Sequence, residues 1–288
     1  MPPTGLARLC LVAALAMSAM TAGTASAVFT EEPPEYGQCL PKPFAGVGNW
    51  KDAGCTVPKG PGLTEHKYEW YPGFGENGAH DRLRLITAPK FKSKITRGTL
   101  AIFEVDHINK VTCTGEAATG EITGPKTVGS VLATFTGCTE VVGNTCQTRD
   151  EPAGRVVLTT LQGELGTIKA FPTEPIKNQI GLVLFVGEIA FECAGIRLAV
   201  SGAIIHPVAA NVMSLASSER FTGSAGEQTP ESFEFLQARA EQRPAYVVFP
   251  AREDILETSL AEGPFTESSL SLTSRQRNGM KIEVSSIN

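Results

Sequence analysis

The chain has 288 residues, of which 25 are Lys or Arg and 30 are Asp or Glu, so its net charge is −5 at pH 7. A nucleic-acid partner needs a basic stripe, and no run of Lys or Arg occurs, so the sequence excludes that class of partner. The hydrophobic content of 42% allows a buried core and argues against a wholly disordered chain.

The first 27 residues have the pattern of a cleavable secretory signal peptide. Arg8 is the only charged residue before position 31, an apolar run follows it over residues 9–19, and small residues end at Ala25-Ser26-Ala27. The apolar run is shorter than the roughly 20 residues that a membrane-spanning helix needs, so no transmembrane anchor is predicted. We therefore expect a secreted, extracellular protein, with association to the cell wall as a further option.

Residues 28–78 predict a small N-terminal module held by one disulfide. They contain both Trp, three of the four Tyr and two isolated cysteines, Cys39 and Cys55, which we expect to pair locally. Four aromatic residues are candidates for a ligand surface, because Trp and Tyr stack on sugars and are favoured at interfaces: Trp50, Tyr68, Trp70 and Tyr71. The alternative is that these rings form the core of the module, since so short a segment needs its aromatic residues inside.

Residues 79–288 predict the main domain, built from antiparallel strands. Short apolar and β-branched segments alternate with turn signals, and Val131, Ala133 and Phe135 share one face, which is the period of a strand. Ala194-Gly195 predicts a tight hairpin, and Pro207 is expected to end the strand that follows it. The predicted fold class is therefore all-β, with the small disulfide-bonded module followed by an antiparallel β-sandwich or barrel.

The last stretch, residues 214–288, gives a mixed pattern. The segments SFEFLQA, AYVVF and MKIEV favour strands, although Thr229-Pro230-Glu231 resembles the start of a helix. The sequence leaves open whether these strands complete the main sheet or stand apart.

Six cysteines follow the signal peptide, and an even number in an exported chain is expected to pair. Cys138 and Cys146 flank a short turn and are predicted to bridge locally, which leaves Cys113 and Cys193 for each other. Neither a CxxC motif nor a His pair with ligand spacing occurs, so the sequence predicts no zinc site and no other metal.

Candidate chemistry is limited to one strand segment, IFEVDHIN. Glu104 and Asp106 fall on one face there, as a glycosidase-like carboxylate pair would, and His107 follows them. The simpler interpretation is a solvated strand face, and His206 beside Pro207 is expected to be only a strand-end residue.

The GxGxxG pattern at 73–78 precedes a strand-like segment instead of a helix, so we expect a loop and no cofactor. A non-enzymatic protein is favoured over an enzyme.

The pattern YGQCLP…WKDAGCT…YEWYPG over residues 36–73 resembles a cysteine module of uncharacterised exported β-rich proteins from high-GC Gram-positive bacteria. Further blocks at 111–138, 154–168, 191–202 and 226–235 are similar to the β-rich segment that accompanies this module. The resemblance covers residues 36–288 in patches and implies export, disulfides and β structure. It implies no active-site residue.

The sequence alone identifies no activity. The function we expect is that of a secreted or envelope-associated, non-enzymatic binding or structural protein, whose partner is an envelope polymer or another surface protein. The alternative is a secreted hydrolase that acts on glycans or envelope polymers through Glu104 and Asp106.

Overall fold

The computed structural model describes residues 34–43, 47–60, 67–74, 88–105, 109–171, 173–224, 227–228 and 254–287. These ranges hold strands and one 3-10 turn, Pro175–Lys177, and within them no α-helix occurs. The strands are β1 (Glu35–Pro41), β2 (Tyr68–Pro72), β3 (Lys90–Ile95), β4 (Ala101–Glu104), β5 (Lys110–Cys113), β6 (Gly115–Ile122), β7 (Thr127–Thr136), β8 (Thr139–Glu140), β9 (Cys146–Gln147), β10 (Arg155–Lys169), β11 (Gln179–Cys193), β12 (Ile196–Val208), β13 (Ser214–Phe221), β14 (Gly223–Ser224), β15 (Glu227–Gln228), β16 (Leu256–Leu260) and β17 (Phe265–Ser285). The predicted all-β class is confirmed.

The main sheet is antiparallel and closes on itself. Its strands pair in the order β3, β6, β7, β10, β11 and β12, and β16 then pairs with both β12 and β17. β17 returns to β3 and completes the ring. β16 pairs with residues 265–268 of β17, and β13 pairs with residues 272–282 of the same strand. The two short strands therefore lie one after the other beside β17 and occupy the same place in the ring. Of the two predicted architectures, these pairings describe a barrel.

The barrel interior follows the two-residue period of its strands. In β7, Val131, Ala133 and Phe135 are buried, whereas Leu132 between them is 40% exposed, so the predicted shared face is the inner one. β10 departs from the period at Thr160, which has a φ of 57° at a shift in register with β7. This bulge turns both Leu158 and Leu161 into the core, as an extra residue in one strand allows.

Aromatic side chains fill the two ends of the barrel. At one end the ring centroids of Phe103 and Phe135 are 5.0 Å apart in an edge-to-face contact, and Phe191 lies 6.3 Å from Phe103. At the other end β1 pairs with the last residues of β17, and the backbone N–H of Tyr36 donates to the Pro125 carbonyl in the turn between β6 and β7. Tyr36 is buried there in the same core cluster.

All six described cysteines form disulfides. The predicted Cys39–Cys55 pair is confirmed. The predicted pairs Cys138–Cys146 and Cys113–Cys193 are wrong, because the structure joins Cys113 to Cys138 and Cys146 to Cys193. The reason is strand pairing: β8 lies beside β5 and β9 lies beside β11, so each bond joins cysteines of neighbouring strands.

The hairpin predicted at Ala194-Gly195 is confirmed, and both of its residues have positive φ. Pro207, however, does not end the strand: β12 continues to Val208, and Pro207 pairs with Gly181 of β11. Pro is tolerated at this point because β16 pairs with β12 only as far as Gly202, so the missing N–H interrupts no ladder on that side. In the described ranges, no helix has the length and apolar character needed to cross a membrane.

Candidate ligand site in the barrel lumen

The barrel encloses a cavity between the inward-facing side chains of its strands. The centre of a water-sized sphere can reach a volume of about 50 Å³ in it, and the total empty space is about 560 Å³ when open solvent at the mouth is included. Most of the wall is apolar, as at Val131, Phe135, Leu161, Leu184 and Phe221. The smaller of these volumes corresponds to roughly three to five waters, so the cavity as it stands suits a slender ligand.

Five polar side chains also line this cavity: Ser93, Glu116, His206, Glu219 and Gln276. They come from β3, β6, β12, β13 and β17, which are brought together only by closure of the ring. An apolar pocket with a few convergent polar groups is the usual form of a small-molecule site. We therefore take the lumen as the candidate functional site.

Glu116 is buried on the inner face of β6. Its Oε1 accepts a hydrogen bond of 3.1 Å from the Ser93 hydroxyl, and its Oε2 has no partner among the described residues. Burial raises the pKa of the Glu116 carboxyl, the Ser93 hydrogen bond lowers it and the charge of Glu219 raises it, and the net pKa is about 7. Glu116 therefore changes its charge near neutral pH.

Glu219 lies on β13 and is also buried. Its Oε2 accepts a hydrogen bond of 2.7 Å from the hydroxyl of Ser274, which is itself fully buried. The charge of Glu219 acts on three neighbours, since it raises the pKa of Glu116, His206 and Tyr36. Burial and this charge together raise the pKa of the Tyr36 hydroxyl well above its usual range. Glu219 is thus the charged group that shifts the pKa values of its three buried neighbours.

His206 is 3% exposed and packs edge-on against Phe221, with ring centroids 5.0 Å apart. Its Nδ1 lies 3.2 Å from the Pro207 carbonyl, which can only accept, so we assign the ring proton to Nδ1. Burial lowers the pKa of His206, against the opposing effects of Glu219 and of the Pro207 hydrogen bond, so the ring is neutral at pH 7. Nε2 is then an acceptor, and the described part of the chain offers it no donor.

The carboxylate pair predicted from the sequence is described only in part. Glu104 lies at the end of β4, half-buried, opposite Lys110 of β5 and Ser269 of β17. Asp106 and His107 lie outside the described residues, as do residues 75–78 of the GxGxxG pattern. Glu104 does not line the lumen cavity.

The four aromatic candidates in the N-terminal segment are all half-buried. Trp50 bridges to Tyr68, and the indole N–H of Trp70 donates a 3.1 Å hydrogen bond to Glu35. Residues 68 and 70 fall on one face of β2 and Tyr71 falls on the other, where the Lys42 ammonium lies 5.2 Å from its ring centroid. The ligand surface predicted for these residues stays a prediction.

Beside these rings, the Cys39–Cys55 loop is organised by one carboxylate. Asp52 accepts hydrogen bonds from the backbone of Gly54, Thr56 and Val57 and from the Thr56 hydroxyl, at 2.7–3.2 Å. Partial burial raises the pKa of Asp52, but these hydrogen bonds outweigh it and the net shift is downward. Asp52 therefore remains charged over the neutral range. The described residues contain no group of three or more His, Cys, Asp and Glu side chains that could hold a metal.

The lumen residues were not identified from the sequence. Glu116 and Glu219 lie in GEAATGEI and SLASSERF, which have few large apolar residues to show which face is inside. His206 does follow an apolar strand, and its position two residues after Ile204 is the one signal that could have placed it in the core.

In comparisons with protein-family models, with curated proteins and with solved structures, nothing matched this chain.

Proposed function

We propose that this chain is an exported, non-enzymatic binding protein whose barrel lumen takes a slender, mainly apolar small molecule. The observation that carries the proposal is the cavity itself, with an apolar wall and a small set of buried polar groups on five strands. Water in such a cavity is displaced favourably by apolar ligand atoms, and the fixed strands avoid the cost of ordering a loop.

Export is supported by two features of the chain. The first 27 residues have the composition of a signal peptide, and three disulfides fit an oxidising compartment. The resemblance to exported proteins of high-GC Gram-positive bacteria agrees with this. Association with the cell envelope belongs to the same proposal, and an envelope component is then the natural source of the ligand.

The proposal predicts that filling the lumen abolishes binding. Ala118 lines the cavity from β6, and its neighbour Ala117 is exposed on the opposite face of the same strand. We expect Ala118→Leu to weaken the binding of 1-octanol by at least about tenfold, since the added carbons occupy the space the ligand needs. Ala117→Leu adds the same group outside and should leave the affinity unchanged. Isothermal titration calorimetry of the oxidised protein provides the measurement.

Equal binding by wild type and Ala118→Leu would show that octanol occupies some other surface. If Ala118→Leu has lost its native circular dichroism, Ala133→Val tests the same wall with a smaller increase in volume. If neither 1-octanol nor another octyl-chain ligand binds the wild type or raises its melting temperature at high concentration, the proposed function is contradicted.

A further inference from the structure

The polar groups of the lumen include two buried acceptors that lack a hydrogen-bond donor among the described residues. Oε2 of Glu116 and Nε2 of His206 are buried acceptors for which the described chain has no donor. A buried acceptor without a donor costs free energy, and a ligand that supplies one recovers it. The unmet need in this cavity is therefore for N–H or O–H groups.

The charges of the lumen also favour a ligand that donates hydrogen bonds. Glu116 and Glu219 are both acidic and more than nine-tenths buried, and among the described lining residues none is Lys or Arg. A carboxylate or phosphate ligand would meet like charge in a place where solvent screens poorly. A cation would meet two carboxyl groups and a neutral imidazole, all of which can accept from it.

We propose that the lumen binds a primary alkylammonium, whose NH₃⁺ group donates to Glu116, Glu219 and His206 while its alkyl chain lies along the apolar wall. An ammonium has three donors and no acceptor, which matches three acceptors in one cavity. The inference rests on the proposed function, because it names the ligand class for the same site.

Binding of an ammonium in the lumen is expected to release protons from the protein. Glu116 has a pKa of about 7 in the empty site, so at pH 7 a fraction of the molecules hold a proton on it. An ammonium beside this carboxyl favours the ionised form and lowers the pKa, so binding releases protons. A neutral alcohol brings no positive charge to the carboxyl, so we expect it to release far fewer protons. Calorimetry in buffers of different ionisation enthalpy measures the number of protons released.

The test compares three ligands with the same chain length: n-octylamine, 1-octanol and octanoate, titrated at pH 7 into the oxidised protein. We expect octylamine to bind at least about tenfold more tightly than octanol, with proton release, and octanoate to bind most weakly. Glu219→Gln and Glu116→Gln should each lower the affinity for octylamine about tenfold and change that for octanol less than threefold. Glu188→Gln, an exposed acid on β11 paired with Arg197, is the matched control and should change neither.

The outcomes separate the two proposals. If octanol or octanoate binds as tightly as octylamine, or if both glutamine variants retain full affinity for octylamine, the ammonium assignment is wrong and lumen binding still stands. If none of the three ligands binds, lumen binding itself fails. The Ala118→Leu variant should abolish octylamine binding, and retention of binding there would place the amine on the acidic outer surface and overturn the assignment.

Discussion

Replacement of Cys146 and Cys193 by Ala is expected to lower the free energy of unfolding by about 4 kcal/mol. The bond closes a loop with a sequence separation of 47, and in the chain-entropy account the stabilisation grows with the logarithm of loop length. Both sulfurs are buried, and the strand that carries Cys146 pairs with β11 through only two residues. The disulfide therefore adds a covalent bond to the short ladder that joins β9 to β11.

The matched control is the double replacement of Cys39 and Cys55. That bond spans 16 residues and is expected to contribute about 3 kcal/mol. Urea unfolding at fixed pH gives both values, and hydrogen exchange should show the loss of protection in β8 and β9 for the first variant only. A smaller loss from the Cys146 and Cys193 replacement than from the Cys39 and Cys55 replacement would contradict the account. Peptide mapping without reduction checks the pairing independently.

The same cysteines show which disulfides can be predicted from the sequence and which cannot. That all six pair follows from their even number in an exported chain, and Cys39–Cys55 follows from their isolation. The other two pairs depend on which strands are neighbours. Cys138 and Cys146 are close, since the N–H of Cys146 donates to the Cys138 carbonyl, yet each sulfur bonds to a cysteine on a different strand. Spacing along the chain carries no information about that choice.

The class of the fold was predictable, and its closure was not. Alternating apolar residues identify β7, because only one face of that strand is buried. The β11–β12 hairpin shows longer apolar runs instead, because residues 180–183 and 203–206 are buried on both faces. Whether the sheet closes depends on β16 and β17, which pair with β12 and β3 far away in sequence. A sandwich and a barrel have the same local pattern, so the sequence left both open.

Both predicted domain boundaries, at 27/28 and 78/79, fall outside the described residues.

The candidate site was the least predictable part of the molecule. On β6, Glu116 faces the lumen and Glu121, five residues later, falls on the opposite face. The residues between them are Ala, Thr and Gly, so hydrophobic patterning there assigns neither face to the interior. An acidic residue that faces the interior has the same local sequence pattern as one that faces solvent, and only the neighbouring strands distinguish the two. The predicted candidate Glu104 had a clearer pattern but lies on β4, away from the cavity.

Another buried acid, Glu283, gives the stability of this protein a dependence on pH. It lies on β17 opposite Gly37 of β1, is 1% exposed, and neither of its carboxyl oxygens has a hydrogen-bond partner in the described ranges. Burial raises the pKa of Glu283, the nearby charge of Asp52 acts in the same direction, and together they bring it to about 8. The carboxyl is therefore protonated in the folded protein at neutral pH.

The direction of the effect follows from proton linkage. Below the ordinary Glu pKa both folded and unfolded chains hold the proton, and the stabilisation is fully present. Between that value and about 8 the folded chain keeps a proton that the unfolded chain has released, so the free energy of unfolding falls as pH rises. Above about 8 both forms are ionised and the loss is complete. We expect Glu283 to account for a loss of about 2 kcal/mol between pH 5 and pH 9, less than full linkage gives, because local relaxation and water entry lower the cost of the buried charge.

Glu283→Gln isolates this contribution, because the amide keeps the shape of the protonated carboxyl and does not ionise. We expect the variant to match the wild type at pH 5 and to exceed it in stability by about 2 kcal/mol at pH 9, measured by urea unfolding at each pH. Glu116 and His206 also titrate differently in the folded protein, but they are present in both proteins and cancel in the difference. A difference that is constant with pH would mean that Glu283 is ionised and stabilised in the folded chain, and burial against the N-terminal strand would then not control its charge.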